Sequence, residues 1–452
     1  IKQRFEHLID HYAALCLALA LVTLSLIGVG DLRTAALVGI LLCGAGMAQD
    51  FARVDLWILL PLILYALASM ASSCMAYGNI TDGYGVMHAL FPVIYLLMGC
   101  LDEKGMRLLR RCCALWTGIM AAMGIGRFVF QAVTTGRTGR MAGPLGNSNA
   151  MGIFLVTGWF TLMYCAKEDA DRNQTEFLFR LEPVLLIALT LTLSMGSFLA
   201  MAMGIGVLLI EKKRTCDPEE TFRYACRLLA RIVLGTGTGM LIYLAAVRTN
   251  VPWICLPLLA YGITTFLYWN TFDRFLSAYP RTAFIMSALG ILIAATAVFL
   301  RPSAAITFAE RFEMMKSGLH YLTESPLFGV GPFRWRLLDM NDGGKYFNTW
   351  HIHNIPIHIG VEMGLFAMAM VILIGLRALS KKKKIFLRAG VAAFLFHNLI
   401  DTSFFYLGIT ALTLTAAGEP ESGGRKAGGM TVKTVFALFA GLFAYSLYYT
   451  IR

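Results

Sequence analysis

The feature that most constrains this sequence is its succession of apolar blocks, each about 15 to 23 residues long, separated by short charged loops. A helix needs around 20 consecutive apolar residues to cross the hydrocarbon core of a bilayer, whereas a membrane barrel is built from segments of alternating polarity. The blocks here do not alternate, so they read as helices. Composition agrees: 58% of the 452 residues are hydrophobic and 15% are charged, with a mean hydropathy of +0.66, while soluble domains carry about a quarter charged residues. A soluble globular enzyme and a disordered chain are both excluded. The expectation is an all-α polytopic membrane protein, a helical bundle of about 12 to 15 transmembrane segments with one long extracytoplasmic loop.

Spans are expected at roughly 8–28, 34–48, 56–75, 86–100, 112–134 and 148–165. A short pair follows at 183–196 and 197–210, turning back at Ser194, Met195, Gly196 and Ser197. Further spans are expected at about 232–247, 252–269, 282–300, 357–378, 385–401, 404–417 and 432–449. Three parts result: an N-terminal transmembrane bundle over 1–300, an extracytoplasmic loop with an amphipathic helix over 301–356, and C-terminal transmembrane helices over 357–452. The 404–417 block is the shortest; if it spans, the C-terminus is outside, and if it does not, Arg425, Lys426 and Lys433 are misplaced.

A net charge of +12 would raise the question of nucleic acid in a soluble protein. Here the basic residues gather in the loops 102–111, 167–180 and 211–231 and at Lys381 to Lys384, so they report orientation, with those loops cytoplasmic. All ten cysteines fall in spans or cytoplasmic loops, and no disulfide is expected. The N-terminal segment shows no cleavable signal, so the first span is expected to serve as an uncleaved anchor.

Chemistry in such a chain is sought where polar groups gather at one depth, because ionisable residues inside a span are costly. Three outside-facing clusters qualify. The first is Arg127 in the fifth span with the glycine-rich loop Gly136 to Asn149, which carries Arg137 and Arg140 and offers Asn147, Ser148 or Asn149 as the cap of the next helix. A helix N-terminus with nearby arginines suits a phosphate or diphosphate. Solvation, or contact with lipid head groups, is the plain alternative for these arginines. The second cluster is Arg301, Glu310, Arg311, Glu313 and Lys316, on an amphipathic helix expected over 305–322 and ended by Ser325 to Phe333; an ordinary interfacial helix fits it equally. The third is Trp350 to His358, with Glu362 one turn beyond His358. Pro356 suits a first helical turn, placing His353 and Asn354 at its mouth and stacking His358 over Glu362. Imidazole titrates near neutrality, which makes His353 a candidate general base. Zinc held by His351, His353 and His358 is the competing reading, although no HExxH pattern exists, and interfacial histidines without chemistry are another.

Three motifs, in order, give the sequence a family likeness. Arg140 to Gly143 with Asn147, Ser148, Asn149 and Gly152, then Ser325 to Gly331, then His353 and Asn354 with Glu362, Gly364 and Leu365, together resemble the O-antigen ligase and O-antigen polymerase superfamily of bacterial membrane glycosyltransferases. His397, Asn398 and Asp401 are similar to that family's late His and Asp pair. The likeness covers residues 127 to 401 and departs at Ser194, Met195, Gly196, where the family often has an arginine in the middle position; Arg127, Arg311 or Arg301 would replace it. Ser148 also stands where the family has proline.

The resemblance implies a GT-C-like, metal-independent glycosyltransferase without a cofactor, multi-pass in the bacterial inner membrane, its active site facing outside. Its donor would be a polyprenyl-diphosphate-linked glycan and its acceptor a glycan, lipid-core or protein hydroxyl. His353 is then expected to be catalytic; Arg140, Arg127 and Arg311 to bind the donor diphosphate; and Asn147, Asn149, Asn354 and Glu362 to support them. Membrane lipids are the other expected partner. A transporter or flippase of lipid-linked glycans is the alternative, and an inactive scaffold in wall assembly a third.

Overall fold

The computed structural model describes residues 11–136, 138–168, 172–248, 252–299, 303–344, 347, 349–380, 384–418 and 425–451. In chain order the helices are α1 (Tyr12–Leu26), α2 (Leu32–Met47), α3 (Leu56–Tyr77), α4 (Gly85–His88), α5 (Leu90–Gly99), α6 (Glu103–Thr135) and α7 (Ser148–Glu168). They continue as α8 (Arg172–Arg180), α9 (Glu182–Thr192), α10 (Met195–Thr215), α11 (Pro218–Arg248), α12 (Cys255–Ala278) and α13 (Pro280–Phe299). The remainder are α14 (Ser303–Glu324), α15 (Trp335–Asn341), α16 (Ile355–Ser380), α17 (Ile385–His397), α18 (Leu407–Ala417) and α19 (Gly429–Ile451). Among the described residues the all-α expectation meets one exception, an antiparallel ribbon of β1 (Phe51–Val54) and β2 (Arg425–Gly428) that pairs Phe51 with Gly428 and Val54 with Arg425.

Among the described residues, seven helices are long and apolar enough to cross a membrane, or eight if the bent pair α12 and α13 is one span. That pair turns through 106° just before Pro280, whose ring cannot continue a helix unbroken. Reaching twelve or more crossings requires the shorter apolar helices, among them α1, α2, α17 and α18. The helices expose large apolar side chains on their flanks, Trp57 at 72%, Ile293 at 68% and Leu438 at 71%, as lipid-facing surfaces do.

The charged loops of the sequence reading are largely helical. Residues 103–111 form the first turns of α6, and 211–231 are divided between α10 and α11. Arg110, expected in a cytoplasmic loop, is buried, and its guanidinium donates to the carbonyls of Thr415 (3.3 Å) and Gly418 (2.6 Å), capping the C-terminus of α18. Lys2, Arg4, Arg137, Arg301 and Lys381 to Lys383 lie outside the described residues.

By compactness the chain forms two units, a first of 1–112, 309–383 and 395–452 and a second of 113–308 and 384–394. This is a division by packing, whereas 1–300, 301–356 and 357–452 is one by expected membrane exposure. In the first unit α2 packs on α19, and a side chain at Gly39 or Gly46 would overlap the rings of Phe443 and Phe436. One end of this unit gathers the ribbon, the Arg377–Asp55 ion pair (2.8 Å) and the Arg110 cap. The connections 78–84, 325–334, 349–354 and 398–406 meet at the other. In the second unit, α9 and α10 adjoin at Leu193 (φ 48°), with Ser194 capping α10, but each packs on α7 and not on the other as the expected tight hairpin would.

Candidate functional site

The chemistry of the first unit begins with the turn that starts α16. Asn354 Oδ1 accepts from the Ile357 amide at 3.1 Å and caps the helix, and Pro356 occupies its first turn, as the sequence anticipates. The Asn354 side-chain amide donates to Leu399 O (3.1 Å), and the Ile355 amide donates to Asn398 O (2.8 Å). Two segments forty residues and more apart in sequence are thereby fastened side by side. His353, at the tip of this turn and 19% exposed, places Nδ1 at 3.6 Å from Asp401 Oδ1. Arg311 of α14 donates Nη2 to the other oxygen of Asp401 at 3.3 Å. Histidine, carboxylate and guanidinium thus stand in series, each from a different element. Burial by itself would raise the Asp401 carboxyl. The imidazoles of His353 and His397 and the Arg311 charge more than offset it, holding Asp401 well below the usual carboxylate range.

The three neighbouring histidines have three different settings. His351 Nε2 shares a hydrogen bond with the Tyr84 hydroxyl (3.0 Å) inside a group of rings with Phe405, and burial pushes its pKa far down, so it is neutral at pH 7. His358 is fully buried; its Nδ1 accepts from the Ile352 amide (3.3 Å), and its Nε2 lies 3.3 Å from Glu362 Oε2. Only His353 faces Asp401. Among the described residues no three His, Cys, Asp or Glu side chains are grouped to hold a metal ion.

The Ser325 to Gly331 turn and the His-Asn, Glu, Gly motif meet in space. The Val330 and Gly331 amides donate to the carbonyls of Val361 (2.8 Å) and Glu362 (3.1 Å), and the Leu365 amide to Pro326 O (2.8 Å). α16 breaks at Gly364 (φ 89°), where a Cβ would stand 2.0 Å from Leu327 O, so only glycine fits. The amphipathic helix expected over 305–322 is α14. Its inner face packs on α15 through Met314, Tyr321 and Trp335, and the Tyr321 hydroxyl donates to Asp342 (2.6 Å).

In the second unit the glycine-rich loop ends as expected, with Asn147 Oδ1 accepting from the Asn149 (2.8 Å) and Ala150 (3.1 Å) amides to cap α7. Arg140, expected to hold a diphosphate, donates Nε to Thr192 O (2.9 Å) and Nη2 to Asn149 Oδ1 (2.5 Å), tying the loop to the α9–α10 turn. Arg127 is exposed on the flank of α6, without an ion pair or hydrogen bond among the described residues.

The sequence reading missed a buried charge network in this unit. Glu182, at the start of α9, accepts from Arg231 (3.0 Å) and from the indoles of Trp269 (2.8 Å) and Trp159 (3.3 Å). Asp273 of α12 accepts from Arg231 (2.7 Å) and Arg227 (2.7 Å) and lies 3.7 Å from Lys167. An acid at each apolar margin, Glu182 and Asp273, was the available signal. No protein-family model matches this chain, and no curated protein matches it.

Proposed function

We propose that the chain is a membrane glycosyltransferase, moving a glycan from a polyprenyl-diphosphate donor to an acceptor hydroxyl on the extracytoplasmic face, with His353 as general base. The observation that carries the reading is the series His353, Asp401, Arg311, built from three distant segments of the first unit, with His353 and Arg311 each about one-fifth exposed. With Nδ1–H turned toward Asp401, Nε2 keeps the lone pair that accepts the hydroxyl proton. The acceptor oxygen bonds to the anomeric carbon as the bond from that carbon to the diphosphate oxygen breaks. The electron pair leaves with the diphosphate and the proton stays on Nε2. Asp401, held ionised, stabilises the imidazolium, as orienting carboxylates do. Arg311 fixes Asp401 and brings positive charge toward the leaving group.

A polysaccharide polymerase is the broader class and a ligase the narrower. For Arg140 the proposal is a diphosphate contact, with its guanidinium oriented by the hydrogen bonds to Thr192 and Asn149. Arg140→Lys keeps the charge but not the fork and is expected to lose most transfer; full activity in Arg140→Ala at normal abundance would remove the role. The deciding experiment incubates the purified protein in nanodiscs with a lipid-linked glycan and an acceptor, and looks for a transferred or lengthened glycan. A transporter is the second reading, favoured by the buried charges and the bent helix pair of the second unit. It predicts movement of the lipid-linked glycan across vesicles and no covalent product. Orientation is read by labelling a single cysteine at position 342 in an otherwise cysteine-free background, expected to react in intact cells.

A further inference from the structure

His358 and Glu362 lie one turn apart on α16, both with 0% side-chain exposure. Neither oxygen of Glu362 has a hydrogen-bond donor. A buried carboxylate in that state is costly, and an apolar side chain of similar volume would fill the space at less cost. Its presence is not explained by the break in the helix, because the backbone holds that break independently. The Glu362 carbonyl accepts from the Ser72 hydroxyl (2.7 Å) and the Gly331 amide (3.1 Å) without help from the carboxylate.

The carboxylate does have one polar neighbour, His358 Nε2, in contact at 3.3 Å without the geometry of a hydrogen bond. A neutral imidazole has a single N–H, and His358 Nδ1 is occupied as an acceptor by the Ile352 amide. The proton is therefore on Nε2, the atom 3.3 Å from Glu362 Oε2. Ile352 is fully buried, and its carbonyl accepts from the Asn354 amide at 2.7 Å. Ile352 and Asn354 flank His353, so the backbone turn that carries this residue is clamped at both sides, on one side by His358.

We propose that His358 and Glu362 are positioning residues for His353: Glu362 fixes the Nε2–H tautomer of His358, and His358 Nδ1 then holds the Ile352 amide and with it the turn that aims the base. The assignment of His353 as base rests on the function proposed above; the clamp does not. Displacement of a catalytic group by about 1 Å can cost on the order of 10²-fold in rate.

The test is nitrogen NMR of the full-length protein labelled with 15N-histidine in nanodiscs, without substrate, alongside transfer kinetics. Wild type is expected to show His358 as the Nε2–H tautomer. Glu362→Gln keeps an acceptor oxygen and is expected to preserve that tautomer and the wild-type kcat within about threefold. Glu362→Leu is expected to release the tautomer, move the His353 ring resonances and lower kcat by up to about 100-fold with the donor KM unchanged. His358→Asn, whose side-chain oxygen can accept from the Ile352 amide, is expected to exceed His358→Phe in kcat by about tenfold. An Nδ1–H tautomer in wild type, or His353 resonances and kcat unaltered in Glu362→Leu, overturns the proposal. Equal kcat in His358→Asn and His358→Phe does so even if the leucine variant fails to accumulate. A wild type that forms no product overturns the functional reading alone, since the tautomer and the His353 resonances are read without turnover.

Discussion

The two units each bring charged side chains together from distant parts of the sequence, and they do so to different ends. In the second unit Arg231 lies between Glu182 and Asp273 at 2% exposure, and two indoles and Arg227 supply further donors to the acids. Each acid there is met by donors from within the protein. In the first unit His353 keeps 19% of its side chain exposed, with Nδ1 3.6 Å from Asp401. Clustered charge inside a helical bundle is therefore not by itself a sign of chemistry. An exposed, incompletely satisfied titratable group backed by a satisfied one is the better sign.

Breaking this contrast requires that a substitution in one unit behave as expected for the other. The largest effect is expected for His353→Ala, which should reduce transfer by about 10² to 10⁴ with donor binding intact, while His351→Ala and His358→Ala keep measurable turnover. Equal loss in all three variants, with sensitivity to chelators, would revive the zinc reading. Arg231→Met should act on stability instead. Removing one partner of a buried ion pair costs about 3–5 kcal/mol, so folded yield should collapse while turnover per folded molecule stays normal. A well-folded but inactive Arg231→Met would erase the distinction between the units. Asp401→Asn retains the shape of the site and should lower kcat by less than His353→Ala does, because it removes the counter-charge of the imidazolium and leaves the base in place.

The smallest effect is on acid stability. The native pKa of His351 is depressed by burial, so the stability it contributes is complete above about pH 6.5, the unfolded value, and is lost as the pH falls toward the native one. Asp401 is depressed in the same sense and adds a second loss below about pH 3.9. The thermal midpoint should therefore decline between pH 7 and pH 5, and His351→Phe should flatten that decline. An unchanged slope would show that another group controls it.

What the sequence revealed was local. The amphipathic helix expected over 305–322 is observed at Ser303–Glu324, the helix break expected near Ser194 falls at Leu193 and Ser194, and α16 begins beside Pro356. Periodicity, caps and proline geometry act within a few residues, so each leaves a mark in the sequence. Arg110 and Arg231 were hidden for the opposite reason. Both sit in strongly basic stretches that read as solvated loops, and their partners Gly418, Glu182 and Asp273 are brought to them only by packing. The ribbon escaped because four-residue strands with no alternating pattern carry no periodic signal. At the candidate site His353 and Arg311 were legible as residue types, and Asp401 through family likeness. The separate settings of His351, His353 and His358 depend on how the chain turns between Thr349 and Asn354, which spacing does not specify.

The ribbon also orders events in time. A ribosome delivers Phe51–Val54 long before Arg425–Gly428 exist, and α2 long before α19. Until then the strand amides have no ladder to join, and the face of α2 at Gly39 and Gly46 has no Phe443 or Phe436 to cover it. Assembly of this unit is therefore closed by a late clasp. A nascent chain stalled before residue 425 would present an open strand edge and an uncovered apolar groove together, the two surfaces by which unfinished proteins aggregate.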